Sequence, residues 1–503
     1  MKSGSINGQK FVRMKAFKQP FSFISAALLC YFLIPYLIFL KYFNLDFNLD
    51  YAEAWWAFKN SSLQAFVTAV IVTGLSIPLS FGVFTLKNPW FALTQKLLLL
   101  PQILPALFSI LIVFSMVDPF PMGTTGIIII FTVMHLGFAT VLLTAATQER
   151  MGSFGLIAEV YDVGRFKFYR RVYCPLMKSN LLTIFVLVFI FCFASFSVPL
   201  VAGGGRGTNL EVLIYEKIFI NQNWSLAWTL NLLQSFFIFI LSYLILKKSA
   251  LPKVDFEDSK YMQFRLGRVG LFIYLALYGG GYLMGLVKAR GALAQFQALL
   301  PEIILATQHT LKIMVFYILI NILLLITWVY DYVKSGRQNS SRHLLATSTI
   351  LVGFSFYLLI PETSLGDYFK IILSMTILFF PPLFRSFLEK PLDQLDSQIL
   401  TCKIFNISTS KIVFTVVLRQ IKKPIFLWLS FLTIWFLSDF AILKSLGVRT
   451  ATVGLMAESF LSSYRLSLAY LLSFYILIVW VFTLLAIYLL KGVFGVINKK
   501  FAS

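Results

Sequence analysis

Apolar runs long enough to cross a bilayer recur along the whole chain, set apart by short polar and basic stretches. A hydrocarbon core about 30 Å thick takes roughly 20 apolar residues per helix. The pattern predicts such helices near 21–41, 62–84, 97–117, 125–147, 179–201, 227–246, 269–287, 307–331, 345–361, 369–388, 424–443 and 468–490. The first follows a stretch carrying Lys2, Lys10, Arg13, Lys15 and Lys18. A cleaved signal peptide has a similar basic start, but its apolar core is only about 7–15 residues and ends in small residues. The run from Phe21 to Leu40 is longer and continues into Lys41-Tyr-Phe43, which predicts a retained helix. The expectation is an all-α polytopic membrane protein of about twelve transmembrane helices.

Composition agrees with that class. The chain is 59% hydrophobic and 13% charged, with a mean hydropathy of +0.83, whereas soluble domains carry about a quarter charged residues. A net charge of +22 would by itself invite a nucleic-acid partner. Its distribution argues against one: with the N-terminus inside, Lys and Arg concentrate in the cytoplasmic segments, as the positive-inside rule requires. Both termini are then expected in the cytoplasm. Lys312, near the start of the eighth helix, is placed to snorkel to the outer headgroups. Cys30 and Cys192 fall within helices, and Cys174 and Cys402 in cytoplasmic loops, a reducing setting. No Cys/His spacing marks a metal site. His135, His309 and His343 assemble no catalytic constellation, and Gly203-Gly-Gly-Arg-Gly207 lacks the Lys-Ser/Thr of a phosphate loop. An enzyme is not expected, nor a cofactor.

The chain repeats itself. Six helices precede the basic connection Lys247 to Arg268 and six follow it, dividing the chain into residues 1–250 and 251–503. In each part the longest cytoplasmic loop lies between the fourth and fifth helices, Gln148 to Lys178 and Leu388 to Lys423. At an offset of 244, Lys167 meets Lys411, Val172 meets Val416, Lys178 meets Lys422 and Phe196 meets Phe440. Further on, Ser225-Leu-Ala-Trp228 matches Ser467-Leu-Ala-Tyr470. An even helix count per unit gives both repeats the same membrane orientation, about an axis along the membrane normal.

The first long loop contains Tyr161, Phe166, Phe168, Tyr169 and Tyr173 interleaved with Arg165, Lys167, Arg170 and Arg171, around an expected break at Gly164. Two short helices ending at Pro175 would present a basic, apolar knob to the cytoplasm. An amphipathic segment lying on anionic lipid is the other reading of the same residues.

This loop resembles the Glu-Ala-Ala loop of ABC-importer permeases, which runs through a Gly to a hydrophobic-x-Leu-Pro ending. Arg170-Arg-Val-Tyr-Cys-Pro175 fits that ending. Anchored on Pro175, the family's Gly position is Asp162 and its Glu position is Leu156, with Gly164 and Glu159 displaced. In the second loop Arg419 replaces the Pro, Asn406 takes the Gly position and Leu400 the Glu position; Asn tolerates a left-handed backbone. Past the fifth helix, Val201-Ala-Gly-Gly-Gly-Arg-Gly-Thr-Asn-Leu-Glu-Val-Leu-Ile-Tyr215 is similar to the Gly-Gly-Gly…Thr-x-x-Glu-x-x-Ile-Tyr stretch of thiamine-importer permeases. Leu437-Ser-Asp-Phe-Ala-Ile-Leu443 with Ser462-Ser-Tyr-Arg465 resembles that family's Ser-Leu-Gly-Asp-Leu…Gly-Ser-Tyr-Arg.

The resemblance implies a fused, two-half permease of the type I ABC-importer kind in a bacterial inner membrane. Its partners would be two copies of a cytoplasmic ATPase and a periplasmic substrate-binding protein. Each loop would act as a coupling helix, with Glu159, Asp162, Gly164, Arg170, Arg171, Pro175, Asn406, Lys411 and Arg419 at the ATPase contact. The implied substrate is thiamine or a related small cation, and fused ferric-iron permeases share the architecture. A twelve-helix ion-coupled transporter is a further alternative. It calls for a basic Gly/Asp/Arg loop between helices two and three, where this chain has only Leu86-Lys-Asn-Pro-Trp90.

Within the expected spans, Asp439 is the costly residue, since a mid-bilayer carboxylate costs about 2.5–3.5 kcal/mol on insertion scales. It would either help a cation cross or cap the outer end of its helix. Its repeat counterpart is Ser195. Gly203, Gly204 and Gly205 read most simply as a flexible turn, and their place beside the translocation helices makes them candidates for a gate or a receptor contact. His135, Asn231, Gln234 and Asn321 are read as interhelical hydrogen-bonding groups.

Overall fold

The computed structural model describes residues 23–41, 51–151, 153–246, 260–335 and 348–500. The basic N-terminal residues and most of the central connection, 247–259, lie outside them. Among the described residues the chain is helical throughout, with no strand. The first half comprises α1 (Phe23–Lys41), α2 (Tyr51–Val83), α3 (Trp90–Ile103), α4 (Ala106–Met116) and α5 (Thr124–Met151). It continues through α6 (Phe154–Val160), α7 (Arg165–Phe193), α8 (Ser197–Ala202), α9 (Leu210–Phe219) and α10 (Trp224–Leu246). The second half comprises α11 (Arg265–Ala289), α12 (Leu300–Ser335), α13 (Thr349–Leu359), α14 (Ser364–Phe384) and α15 (Asp396–Ile404). After it come α16 (Lys422–Ser438), α17 (Ala441–Ser445), α18 (Val453–Ser462) and α19 (Leu466–Lys500).

Among the described residues eight helices are long and apolar enough to cross a membrane, or nine if the bent pair α3 and α4 forms one span. The protein is therefore an all-α, multi-pass membrane protein. Four of the twelve expected spans are not among the eight: 21–41 is α1, 19 residues long, and three take another form. The run 97–117 bends by 97° between α3 and α4. The cause is local: Pro105 drives Leu104 out of the helical region, to φ −71° and ψ 143°. The run 345–361 becomes α13, only 11 residues long, and 424–443 becomes α16, 17 residues ending at Ser438.

The first helix of each half packs on the other half. α11 lies on α2 and α4 and reaches α19, while α1 lies on α12 and α13. Small residues make the fit close. A Cβ on Gly267 would fall on the carbonyl of Pro78, and one on Gly285 on the ring of Tyr470. Hydrogen bonds pin both crossings: Ser115 Oγ donates to the Gly281 carbonyl at 2.8 Å, and Ser355 Oγ to the Pro35 carbonyl at 2.9 Å. Leu266, Val269, Phe272, Ile273 and Leu277 of α11 remain exposed, a face suited to hydrocarbon rather than water. Phe189, Phe193 and Phe237 fill the first half, and Trp328, Phe380 and Trp428 the second.

Candidate coupling loops and substrate pathway

The two long loops, 148–178 and 388–423, turn in the same way. α6 ends in a left-handed turn at Asp162, φ 45°, where the N–H of Val163 reaches back to the Ala158 carbonyl at 2.9 Å. α15 ends the same way at Asn406, φ 54°, with the Ile407 N–H on the Cys402 carbonyl at 3.1 Å. Both are Schellman-type closures, which satisfy carbonyls left over at a helix end. Each participating residue of one loop stands 244 positions from its counterpart in the other. Gly164, expected at the break, is extended at φ −54° and ψ 137° and starts the next helix. The break belongs to Asp162, which takes the strained conformation itself because an Asx side chain tolerates it.

The turns push four large side chains into the open. Val160 and Tyr161 are 81% and 77% exposed, and Ile404 and Phe405 are 70% and 73% exposed. Arg170, Arg171, Pro175, Lys411 and Arg419 are exposed as well. Glu159 is not part of that outer face. Its carboxylate takes the Lys260 N–H at 3.3 Å and its ammonium at 3.7 Å. The next residue, Tyr261, is buried under the loop: its hydroxyl donates to the Val163 carbonyl, and Tyr169 OH donates to the Tyr261 carbonyl at 2.7 Å. The segment that leads into α11 thus braces the first loop. The loops also leave differently. Pro175 sits in the first turn after Tyr173 and the chain runs on unbroken to Phe193, whereas Ile421, at φ −89° and ψ 14°, interrupts the path from Arg419 into α16.

At the other end, α7 and α16 stop at Phe193 and Ser438, just before Ser195 and Asp439. Asp439 Oδ1 accepts the Ile442 N–H at 2.9 Å and so caps α17. Ser195 offers its carbonyl to Asn209 Nδ2 at 2.6 Å, and Asn209 Oδ1 in turn caps α9 through the Val212 N–H at 3.0 Å. Thr452 caps α18 through the Leu455 N–H at 3.4 Å. Gly204 and Gly205 carry φ 52° and 71°, values that favour glycine. Gly203 follows α8 in ordinary helical backbone, and the loop closes on the start of α5, where the Gly123 N–H meets the Ala202 carbonyl at 2.8 Å. Lys444 of α17 pairs with Glu458 of α18 at 2.9 Å.

His135 bonds Gln102 at 2.9 Å, and Asn321 bonds the Tyr317 carbonyl at 2.8 Å and Thr376 at 3.2 Å. Both therefore tie residues together within the bundle. Gln234 is an interhelical hydrogen-bonding group too, but with a partner the sequence does not foretell: its Nε2 donates at 2.8 Å to Glu211, a carboxyl fully buried on the first turn of α9. The only trace of Glu211 in the sequence is its place in the Thr208-x-x-Glu211 stretch.

No protein-family model matches the chain. It is similar to curated thiamine transport permeases over part of its length. It is 27% identical over 198 residues to the thiamine transport system permease protein ThiP of Escherichia coli (strain K12), covering 36% of this chain and 37% of that protein. Against the protein of the same name from Brucella abortus (strain 2308), it is 26% identical over 232 residues, 42% of each. Against that of Haemophilus influenzae it is 30% identical over 120 residues, 24% of this chain and 22% of the relative. The chain thus matches about two fifths or less of the length of these relatives.

Proposed function

We propose that this chain is the permease subunit of a bacterial ABC importer. Two six-helix halves, residues 1–250 and 251–503, lie in parallel with both termini cytoplasmic and form the path for thiamine or a related small cation. The observation that carries the reading is the pair of matching turns, each exposing two large, largely apolar side chains. A contiguous exposed apolar knob marks an interaction surface, and two like knobs suit a partner present in two like copies. Two identical ATPase subunits, each taking one knob, meet that requirement. Asp162, Gly164, Arg170, Arg171, Pro175, Asn406, Lys411 and Arg419 lie at or beside these contacts, and Glu159 supports the first from behind. Ser195, Asp439 and the Gly203–Gly205 loop stand where the fifth helix of each half ends, the proposed pathway. Similarity to thiamine transport permeases supports the substrate class, with a periplasmic binding protein delivering it.

Co-expression with the cognate ATPase tests the proposal. The expected product is a complex of one permease and two ATPase chains that hydrolyses ATP when loaded binding protein is added, with no hydrolysis by the permease alone. ATP turnover by the clean, isolated chain would overturn it.

A further inference from the structure

Glu211 sits where the two halves meet. One carboxyl oxygen takes Gln234 Nε2 of α10 at 2.8 Å. The other takes Ser348 Oγ, the residue that caps α13 in the second half, at 3.0 Å. Both donors are neutral, and among the described residues no cation pairs with Glu211. Tyr36 of α1 is the titratable group facing it. α10 presents Gln234 and α13 presents Ser348, while Ser61 of α2 takes the neighbouring Leu210 N–H. Polar atoms on α10 beside it also lack partners. Gln234 Oε1 is buried without a partner, as are both polar atoms of Asn231 one turn earlier on α10.

A carboxylate enclosed by neutral groups gives up its charge rather than bear the full desolvation cost. Burial pushes Glu211 up from 4.5 to about 7, against the pull of its two donors. We infer that Glu211 is a proton-binding latch between the two halves: its neutral carboxyl ties α9 and α10 to the start of α13 while the outer side is closed, and it releases one proton to the outer water when the halves part. Closing takes up that one proton again, and no other reactant is needed. The inference rests on the permease reading, which supplies the open state. Once open, the ionised carboxylate faces the gap through which a cationic substrate enters.

The closed state binds the proton more tightly than the open one. Its advantage is complete below the ordinary carboxyl value of 4.5 and is lost as pH rises through about 7. Between those limits the open-to-closed ratio rises by up to about tenfold per pH unit, roughly three hundredfold in all.

The test uses the full chain in lipid nanodiscs, its native cysteines replaced, with spin labels at Ile220 and Leu359, the outer ends of α9 and α13. Pulsed distance measurements are taken between about pH 5 and pH 9, which brackets the carboxyl and imidazole ranges. The separated population should grow with pH in the otherwise native chain. It should stay low and flat in Glu211→Gln, which retains an oxygen for Gln234 and gains a donor for Ser348. Ser348→Ala, losing one donor to the carboxylate, should move the midpoint to higher pH. Infrared titration reads the proton itself: one protonated-carboxyl band should persist toward pH 7, as Glu211 requires, and be absent from Glu211→Gln. A pH-flat native chain, an unchanged response in Glu211→Gln, or no difference in that band overturns the latch. These readouts need no ATPase and no substrate, so their failure leaves the permease reading standing, whereas failure to form the ATPase complex counts against that reading alone.

Discussion

Truncating the two aromatic knobs, Tyr161→Ala together with Phe405→Ala, should weaken ATPase docking far more than removing the neighbouring arginines. An aromatic side chain offers about 150–250 Å², and Tyr161 and Phe405 are 77% and 73% exposed. Each therefore leaves on the order of 120–180 Å² in water, and burying that area at about 25 cal/mol per Å² yields roughly 3–4 kcal/mol. Ordering the loop and the partner takes back part of this, so each truncation should cost about 2 kcal/mol, or roughly 30-fold in affinity. The two loops are distant in the chain and, in the proposed arrangement, meet separate partner copies, so the effects should add to roughly a thousandfold. Arg170→Ala with Arg171→Ala removes exposed charges worth about 0–1 kcal/mol each, a few-fold loss that fades at high salt. The assay is titration of labelled ATPase onto the permease in nanodiscs, with thermal unfolding as the control. The melting temperature should hold, because both side chains stand in solvent. If the aromatic double variant binds within about threefold of the native chain while the arginine variant does not, docking is electrostatic and the apolar knobs are not the contact.

Two further outcomes follow from local geometry. Gly267→Ala should destabilise the protein by about 1–3 kcal/mol in thermal unfolding, because its methyl has to push α11 away from Pro78; an unchanged melting temperature would mean the crossing is looser than described. Asp439→Asn retains an acceptor for the Ile442 N–H, so stability should hold while the KM for a cationic substrate rises. Asp439→Ala should lose about 1 kcal/mol of cap as well. Native KM in Asp439→Asn would leave this residue a cap alone.

Much of the class was legible because lipid imposes a simple pattern: long apolar runs set apart by short polar and basic stretches. The offset of 244 that aligns Lys167 with Lys411 also relates the two loop turns. Asn406 takes the left-handed conformation that its residue type allows, but the glycine at 164 drew the break two residues too far along. A glycine permits that conformation without requiring it, and the hydrogen bonds closing α6 decide the position. Glu159 reads as an outward carboxylate until Lys260 and Tyr261, some hundred residues away, are packed beneath it. The 97–117 run reads as one span because hydropathy does not register what Pro105 does to Leu104. The enclosure of Glu211 leaves no mark in the sequence for a similar reason. The residue follows a glycine-rich stretch expected outside the membrane, where a carboxylate would be solvated, and only the packing of α10 and α13 encloses it. The exchange of α1 and α11 leaves no trace in hydropathy, which gives the order of helices but not their neighbours.

That exchange bears on how the protein is built at the ribosome. α11 fills the groove on α2 and α4, so the first half reaches this packing only after synthesis has passed Ala289. α1, made first, must wait longer still for α12 and α13. Two separately encoded halves would each emerge with a vacant groove and an unclaimed helix, and would depend on finding one another in the membrane at equal abundance. Carrying both on a single polypeptide fixes that ratio at one to one and makes the search intramolecular.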